Sequence, residues 1–266
     1  MTESAPAELM HYRESGAGGG DPLVLLHAFP VNGRMWEPQL SALSASRRVV
    51  CPDYPGFGGS PHPPAQPDMD YYARSVLRLI DELGIERAVL GGLSMGGYVA
   101  FGCLRLFPER VSGLILADTR ADPDTEEQRE NRKTMARRVA EEGVEVLVEL
   151  QLERLLSRDT LENRPGVVEK ARGMILEARP DGAVAALGAM RERPDSTGLL
   201  PQIRVPALVV GGEEDTLSPP EVMEEMAARI PDSRHAVLSG AGHLSSLEAP
   251  EKFNAALEEF LGRLQG

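Results

Sequence analysis

Ser94 stands between glycines, in Gly92-Leu93-Ser94-Met95-Gly96, where a short apolar run (Ala88, Val89, Leu90) passes into an amphipathic stretch (Tyr98, Val99, Phe101, Leu104, Leu106). A serine at the apex of a strand, a tight turn and a helix has its Oγ clear of the backbone. Small residues two positions to either side let strand and helix approach closely enough to form that turn. In a chain with 27 glycines the pentapeptide alone is a weak signal. The strand-to-helix setting is what raises Ser94 above a serine that merely caps a helix.

A serine hydroxyl is a poor nucleophile at neutral pH. It needs a base to take its proton and an acid to orient that base. The chain has five histidines. His11 and His235 fall in or beside strand-like runs, His27 ends one, and His62 lies in a proline-rich loop. Only His243 follows a late strand in a glycine-flanked turn, Gly240-Ala241-Gly242-His243, from which an imidazole can reach over a strand end. Two aspartates close strands. Asp215 preserves the chain order Ser, Asp, His, with Gly211 and Gly212 shaping its turn, and is favoured over Asp118, read as a turn or hinge residue. Negative charge on a reacting carbonyl oxygen needs two preorganised N–H donors. Met95 supplies one from a helix start, and Phe29, in the loop after the first core strand, is expected to supply the other. Phe29 and the single tryptophan, Trp36, are also candidate substrate contacts, although a lone tryptophan more often packs in a core.

The elements that must hold these residues follow a repeating rhythm. Leu23-Val24-Leu25-Leu26 is a continuous apolar run, as expected of a strand buried on both faces of a parallel sheet. Further strands are expected at 49–51, 88–90, 114–117, 207–210 and 235–238, with an edge strand over 8–13. Helices are expected over 35–43, 70–83 (ending at Gly84), 221–230 and 250–264. Strands alternating with helices of this length imply a parallel sheet covered by helices. From 119 to 197 the rhythm breaks into four helical stretches, at 125–142, 144–156, 167–178 and 183–191, with no strand between them. We read residues 1–118 and 198–266 as the core and 119–197 as an inserted helical cap over the carboxyl ends of the strands.

The whole-chain properties narrow the function further. A length of 266 residues suits one α/β core with an insertion. A net charge of −13 disfavours nucleic acid and anionic membrane surfaces as partners. Residues 1–12 have neither the basic nor the apolar region of a signal peptide, and no apolar run approaches a membrane span. Cys51 and Cys103 read as two buried thiols, which fits the cytoplasm. No Cys/His cluster has metal-ligand spacing and no dinucleotide fingerprint follows a strand, so no metal or cofactor is expected and the chemistry falls to side chains.

The segments His27-Ala28-Phe29-Pro30, Asp53 through Ser60, Gly92-Leu93-Ser94-Met95-Gly96-Gly97, Gly211 through Asp215 and Gly240-Ala241-Gly242-His243 resemble the recurrent motifs of the α/β-hydrolase superfamily. Within it, Leu116 through Ala121 and the Pro194-Asp195-Ser196 turn look most like bacterial carboxylesterases related to 3-oxoadipate enol-lactonases. The resemblance implies an α/β-hydrolase fold, a mostly parallel central sheet flanked by helices with an inserted helical cap. It also implies Ser94 as nucleophile, His243 as base, Asp215 as orienting acid and the Phe29 and Met95 amides as an oxyanion hole. One departure stands out: the usual His-Gly pair is His27-Ala28, and alanine tolerates a positive φ poorly.

The expected activity is hydrolysis of small or short-acyl carboxylic esters through an acyl-enzyme. A lactonase or a perhydrolase would use the same triad, and a non-catalytic ligand receptor is the alternative of another class. Arg120, Arg129, Arg132, Arg137 and Arg138 could meet a substrate carboxylate, although a cationic helix face is usually solvated. Oligomeric state is not legible.

Overall fold

The computed structural model describes residues 9–63 and 66–264. Its strands are β1 (Tyr12–Ser15), β2 (Leu23–Leu26), β3 (Val49–Pro52), β4 (Ala88–Leu93), β5 (Val111–Ala117), β6 (Ala207–Gly212) and β7 (Ser233–Leu238). They form one sheet in the order β1-β3-β2-β4-β5-β6-β7, with β1 antiparallel to β3 and every other neighbour parallel. All residues of β2, β3, β4 and β6 are buried, the pattern of strands covered on both faces. The chain runs outward from β2 to β3 and then returns to β4 on the other side of β2. The loops after β2 and β4 therefore part company at the carboxyl edge, which is where open α/β sheets form a crevice.

The flanking helices are α1 (Glu37–Leu43), entered through a 3-10 turn at Gly33–Trp36, then α2 (Met69–Glu82) and α3 (Met95–Leu106). Helix α2 shows why the periodicity was readable. Asp68 caps it by accepting from the Tyr71 N–H, Tyr72, Val76, Leu79 and Ile80 make one buried stripe, and Gly84 takes φ 64° just beyond its end. Between β5 and β6 come α4 (Glu126–Glu142), α5 (Glu145–Leu155), α6 (Arg158–Asn163), α7 (Pro165–Leu176) and α8 (Pro180–Arg191). The chain closes with α9 (Pro220–Ala228), the single turn α10 (Ser245–Glu248) and α11 (Pro250–Arg263).

Two expectations are corrected. The edge strand lies at Tyr12–Ser15 rather than 8–13; Glu8 is outside the described residues. At His11 the ladder is half made: its carbonyl still accepts from the Asp53 N–H (2.8 Å), but its own N–H turns to Ser60 Oγ (2.8 Å). The stretch between β5 and β6 holds a fifth helix, α6, which buries only Thr160 and so leaves no apolar period to read. Its cap, the Ser157 hydroxyl accepting from the Thr160 N–H (3.3 Å), was the available signal. Cys51 and Cys103 are buried free thiols. Among the described residues no helix is long and apolar enough to cross a membrane.

Candidate active site

Ser94 joins β4 to α3 with φ 56° and ψ −114°, a left-handed conformation that costs a non-glycine residue about 1–3 kcal/mol. The surroundings enforce it. The Ser94 N–H donates to the Ala117 carbonyl (2.9 Å), and the Ser94 carbonyl accepts from Thr119 Oγ1 (2.8 Å). The flanking glycines are steric requirements: a Cβ on Gly92 would lie 2.2 Å from the Gly96 carbonyl oxygen, and one on Gly96 would lie 2.2 Å from that of Leu26.

His243 and Asp215 meet as the sequence suggested. His243 Nδ1–H donates to Asp215 Oδ2 (2.8 Å), and both side chains are buried. Asp215 Oδ1 accepts from the Leu217 (2.8 Å) and Ser218 (3.1 Å) N–H groups, so the carboxylate is held from both sides. An imidazole with its Nδ1 proton committed this way presents Nε2 as a proton acceptor. Ser94 and His243 line the same cleft.

The Phe29 loop is arranged by His27. Buried between the loops, His27 donates through Nδ1 to the Ala28 carbonyl (2.8 Å) and accepts at Nε2 from the Tyr54 N–H (2.9 Å). Burial lowers its pKa to about 4, keeping the ring neutral and able to accept. The only non-glycine residues with positive φ among those described are Ser94 and Asp118, so Ala28 sits in ordinary backbone and the replaced glycine introduces no strain. The Ala28 N–H points to Met35 Sδ (3.3 Å). Among the described residues, the backbone bonds outside helices and strands include none donated by Phe29 or Met95. Both amides can therefore serve an oxygen bound in the cleft.

Several functional neighbours carried little signal in the sequence. Glu248 is buried in α10 and accepts from the Gly242 (2.9 Å) and Ser157 (2.7 Å) N–H groups, tying the histidine turn to the α5–α6 junction. The Leu244 N–H donates to the Leu155 carbonyl (2.9 Å) across the same seam. Asp118 accepts from Gly212 N–H (2.8 Å) and from the Ser245 hydroxyl. Complete burial and the nearby Asp215 push its carboxyl well above the usual range. A buried carboxyl whose partners lie far along the chain has no local spacing that would reveal it.

The cleft has a volume of about 130 Å³. Besides Ser94 and His243 it is lined by Phe29 and Tyr98 from the core and by side chains of α4, α5 and α8, including Arg132, Arg154 and Met190. Trp36 does not line it. Its ring packs on Phe253 with centroids 5.8 Å apart, buried in the core, which corrects its reading as a substrate contact. Among the described residues no group of three or more His, Cys, Asp or Glu side chains is disposed to hold a metal ion.

The family model described as alpha/beta hydrolase fold matches residues 21–250. The chain belongs to the α/β-hydrolase family. This hydrolase is similar to a thermophilic esterase from Thermogutta terrifontis, solved with malate bound. The two are 44% identical over 97% of this chain and 94% of that one, with a TM-score of 0.94. The enol-lactonase from Burkholderia xenovorans is 30% identical over 95% of this chain and 96% of its own, with a TM-score of 0.88. Among curated proteins, 3-oxoadipate enol-lactonase 2 of Acinetobacter baylyi is 28% identical to the hydrolase, covering 98% of this chain and 96% of the relative.

Proposed function

We propose that this α/β-hydrolase is a serine carboxylesterase acting on small or short-acyl esters. The reading is carried by the His243–Asp215 hydrogen bond beside the left-handed Ser94 in one cleft. Ser94 Oγ attacks the ester carbonyl while His243 Nε2 takes its proton, and the imidazolium that forms is stabilised by Asp215. The tetrahedral oxyanion is held by the Phe29 and Met95 N–H groups. His243 then protonates the departing alcohol, leaving an acyl-enzyme on Ser94, and activates a water that releases the acid. Residues 119–197 act as a cap whose α4, α5 and α8 side chains wall the acyl pocket. The small cleft volume favours short chains, and the two free buried thiols fit a cytoplasmic setting.

A lactonase is the second reading, favoured by the similarity to the two enol-lactonases. It needs no other residues, since a cyclic ester opens through the same acyl-enzyme. Initial rates on p-nitrophenyl esters from acetate to decanoate, beside a lactone panel, separate the two. Short esters are expected to turn over fastest, and Ser94→Ala to lower kcat by at least about 10⁴-fold. Lactones outrunning every ester would install the second reading, and unchanged activity in Ser94→Ala would remove both.

A further inference from the structure

We propose that Arg154 makes the cleft select esters carrying a second, ionised carboxylate on a short acyl chain, the chemistry of a dicarboxylic acid half-ester. This rests on the esterase reading and names the substrate class for the same site.

The balance of charge in the cleft points this way. In a chain of net charge −13, the cleft is lined by Arg120, Arg132 and Arg154, with Asp124 as the acidic residue facing them. Arg120 is neutralised by Asp122 through two parallel bonds (2.8 and 2.6 Å). Arg132 pairs with Asp124, but the buried Arg193 claims the same carboxylate, so two guanidinium groups share one negative charge. Burial works against the Asp124 charge, yet Arg132 and Arg193 hold its carboxyl below the usual range. The remaining arginines of the long α4 helix are also committed, Arg129 to Glu192, Arg137 to Glu141, and Arg138 to Glu142 and Glu149. Arg154 alone among the cleft's arginines has no hydrogen bond or ion pair among the described residues. The cleft therefore holds a surplus of positive charge inside an acidic protein, with one guanidinium free to form a bidentate contact with a carboxylate.

Its position relative to the chemistry is set by the backbone. Arg154 lies in the last turn of α5, and the carbonyl of the next residue, Leu155, accepts from the N–H of Leu244, the residue after His243. Glu248 braces the same seam by binding Gly242 and Ser157. The main chain that carries Arg154 is thus registered against the His243 turn, and both side chains line one cleft of about 130 Å³. Specificity of this kind shows as a ratio between charged and neutral substrates of equal length.

Hydrolysis of monoethyl succinate against ethyl butanoate, followed by pH-stat titration, measures that ratio. The wild type is expected to favour the anionic ester by about tenfold in kcat/KM, through KM, with the advantage shrinking in high salt. Arg154→Gln brings the ratio toward one, Arg154→Lys restores part of it, and Arg154→Glu inverts it. A wild-type ratio at or below one, or the wild-type ratio kept in Arg154→Gln, overturns the proposal while turnover of ethyl butanoate leaves the esterase reading standing. If neither ester is cleaved, the esterase reading falls, and calorimetry decides the proposal alone. Binding of monoethyl succinate to Ser94→Ala that is lost in Ser94→Ala/Arg154→Gln sustains it, and binding equal in the two, or absent from both, overturns it.

Discussion

Two carboxyl groups approach the histidine loop, and their surroundings give them opposite duties. Asp215 accepts two backbone N–H groups and the His243 Nδ1–H. Asp118, fully buried beside it, is pushed toward its neutral form by burial and by Asp215. Replacing Asp215 by Asn removes the charge and misdirects the imidazole tautomer, so kcat is expected to fall by about 10⁴-fold. Asp118→Asn keeps a neutral group and an acceptor for the Gly212 N–H, and is expected to stay within roughly an order of magnitude of wild type. Steady-state kinetics of the two variants tests the assignment; equal losses would mean that both carboxylates act on His243.

At the scale of elements, the seam between the histidine turn and the α5–α6 junction is braced by one buried side chain, beside the Leu244–Leu155 main-chain bond. Glu248 satisfies the Gly242 and Ser157 amides at once, and α10, which carries it, is a single turn with no stability of its own. In Glu248→Ala both amides lose their partner inside the protein, at about 1–3 kcal/mol each. The urea midpoint should drop accordingly, with kcat/KM falling as the His243 turn loosens. Glu248→Gln, able to accept at one amide only, should fall between. A Glu248→Ala protein as stable as wild type would show that the seam is held elsewhere.

The whole molecule's stability should depend on pH through His27. Its folded pKa of about 4 lies below the ordinary value of 6.5 because burial disfavours the charged ring. Between these values the unfolded chain binds a proton that the folded protein refuses. The stabilisation is therefore fully present above about pH 6.5 and declines as the pH falls toward 4, by on the order of 3 kcal/mol in all. Denaturant unfolding from pH 7 to 4.5 should show this slope for wild type and a flatter one for His27→Gln. Parallel slopes would place the titrating group elsewhere. Protonation would also break the Tyr54 N–H bond to Nε2 that anchors the Phe29 loop, so activity should fail together with stability.

Local sequence determined the parts of this hydrolase whose physics is local. The apolar runs of β2, β4 and β6 declare buried parallel strands because both of their faces must avoid water. The glycines around Ser94 declare an elbow because no Cβ fits there, and Asp215 and His243 were legible because their strand-end turns carry glycine at short range. Tertiary structure alone decided the rest. It showed that Ala28 needs no positive φ, that Trp36 belongs to the core against Phe253, and that α6 forms on a cap rather than an apolar stripe. It also decided which arginine is free, since Arg132 of α4 and Arg193, just beyond α8, find the same Asp124. The roles of Glu248 and Asp118 were decided in the same way: a buried carboxyl takes its role from partners elsewhere in the chain, and only folding brings those partners within a hydrogen bond's reach.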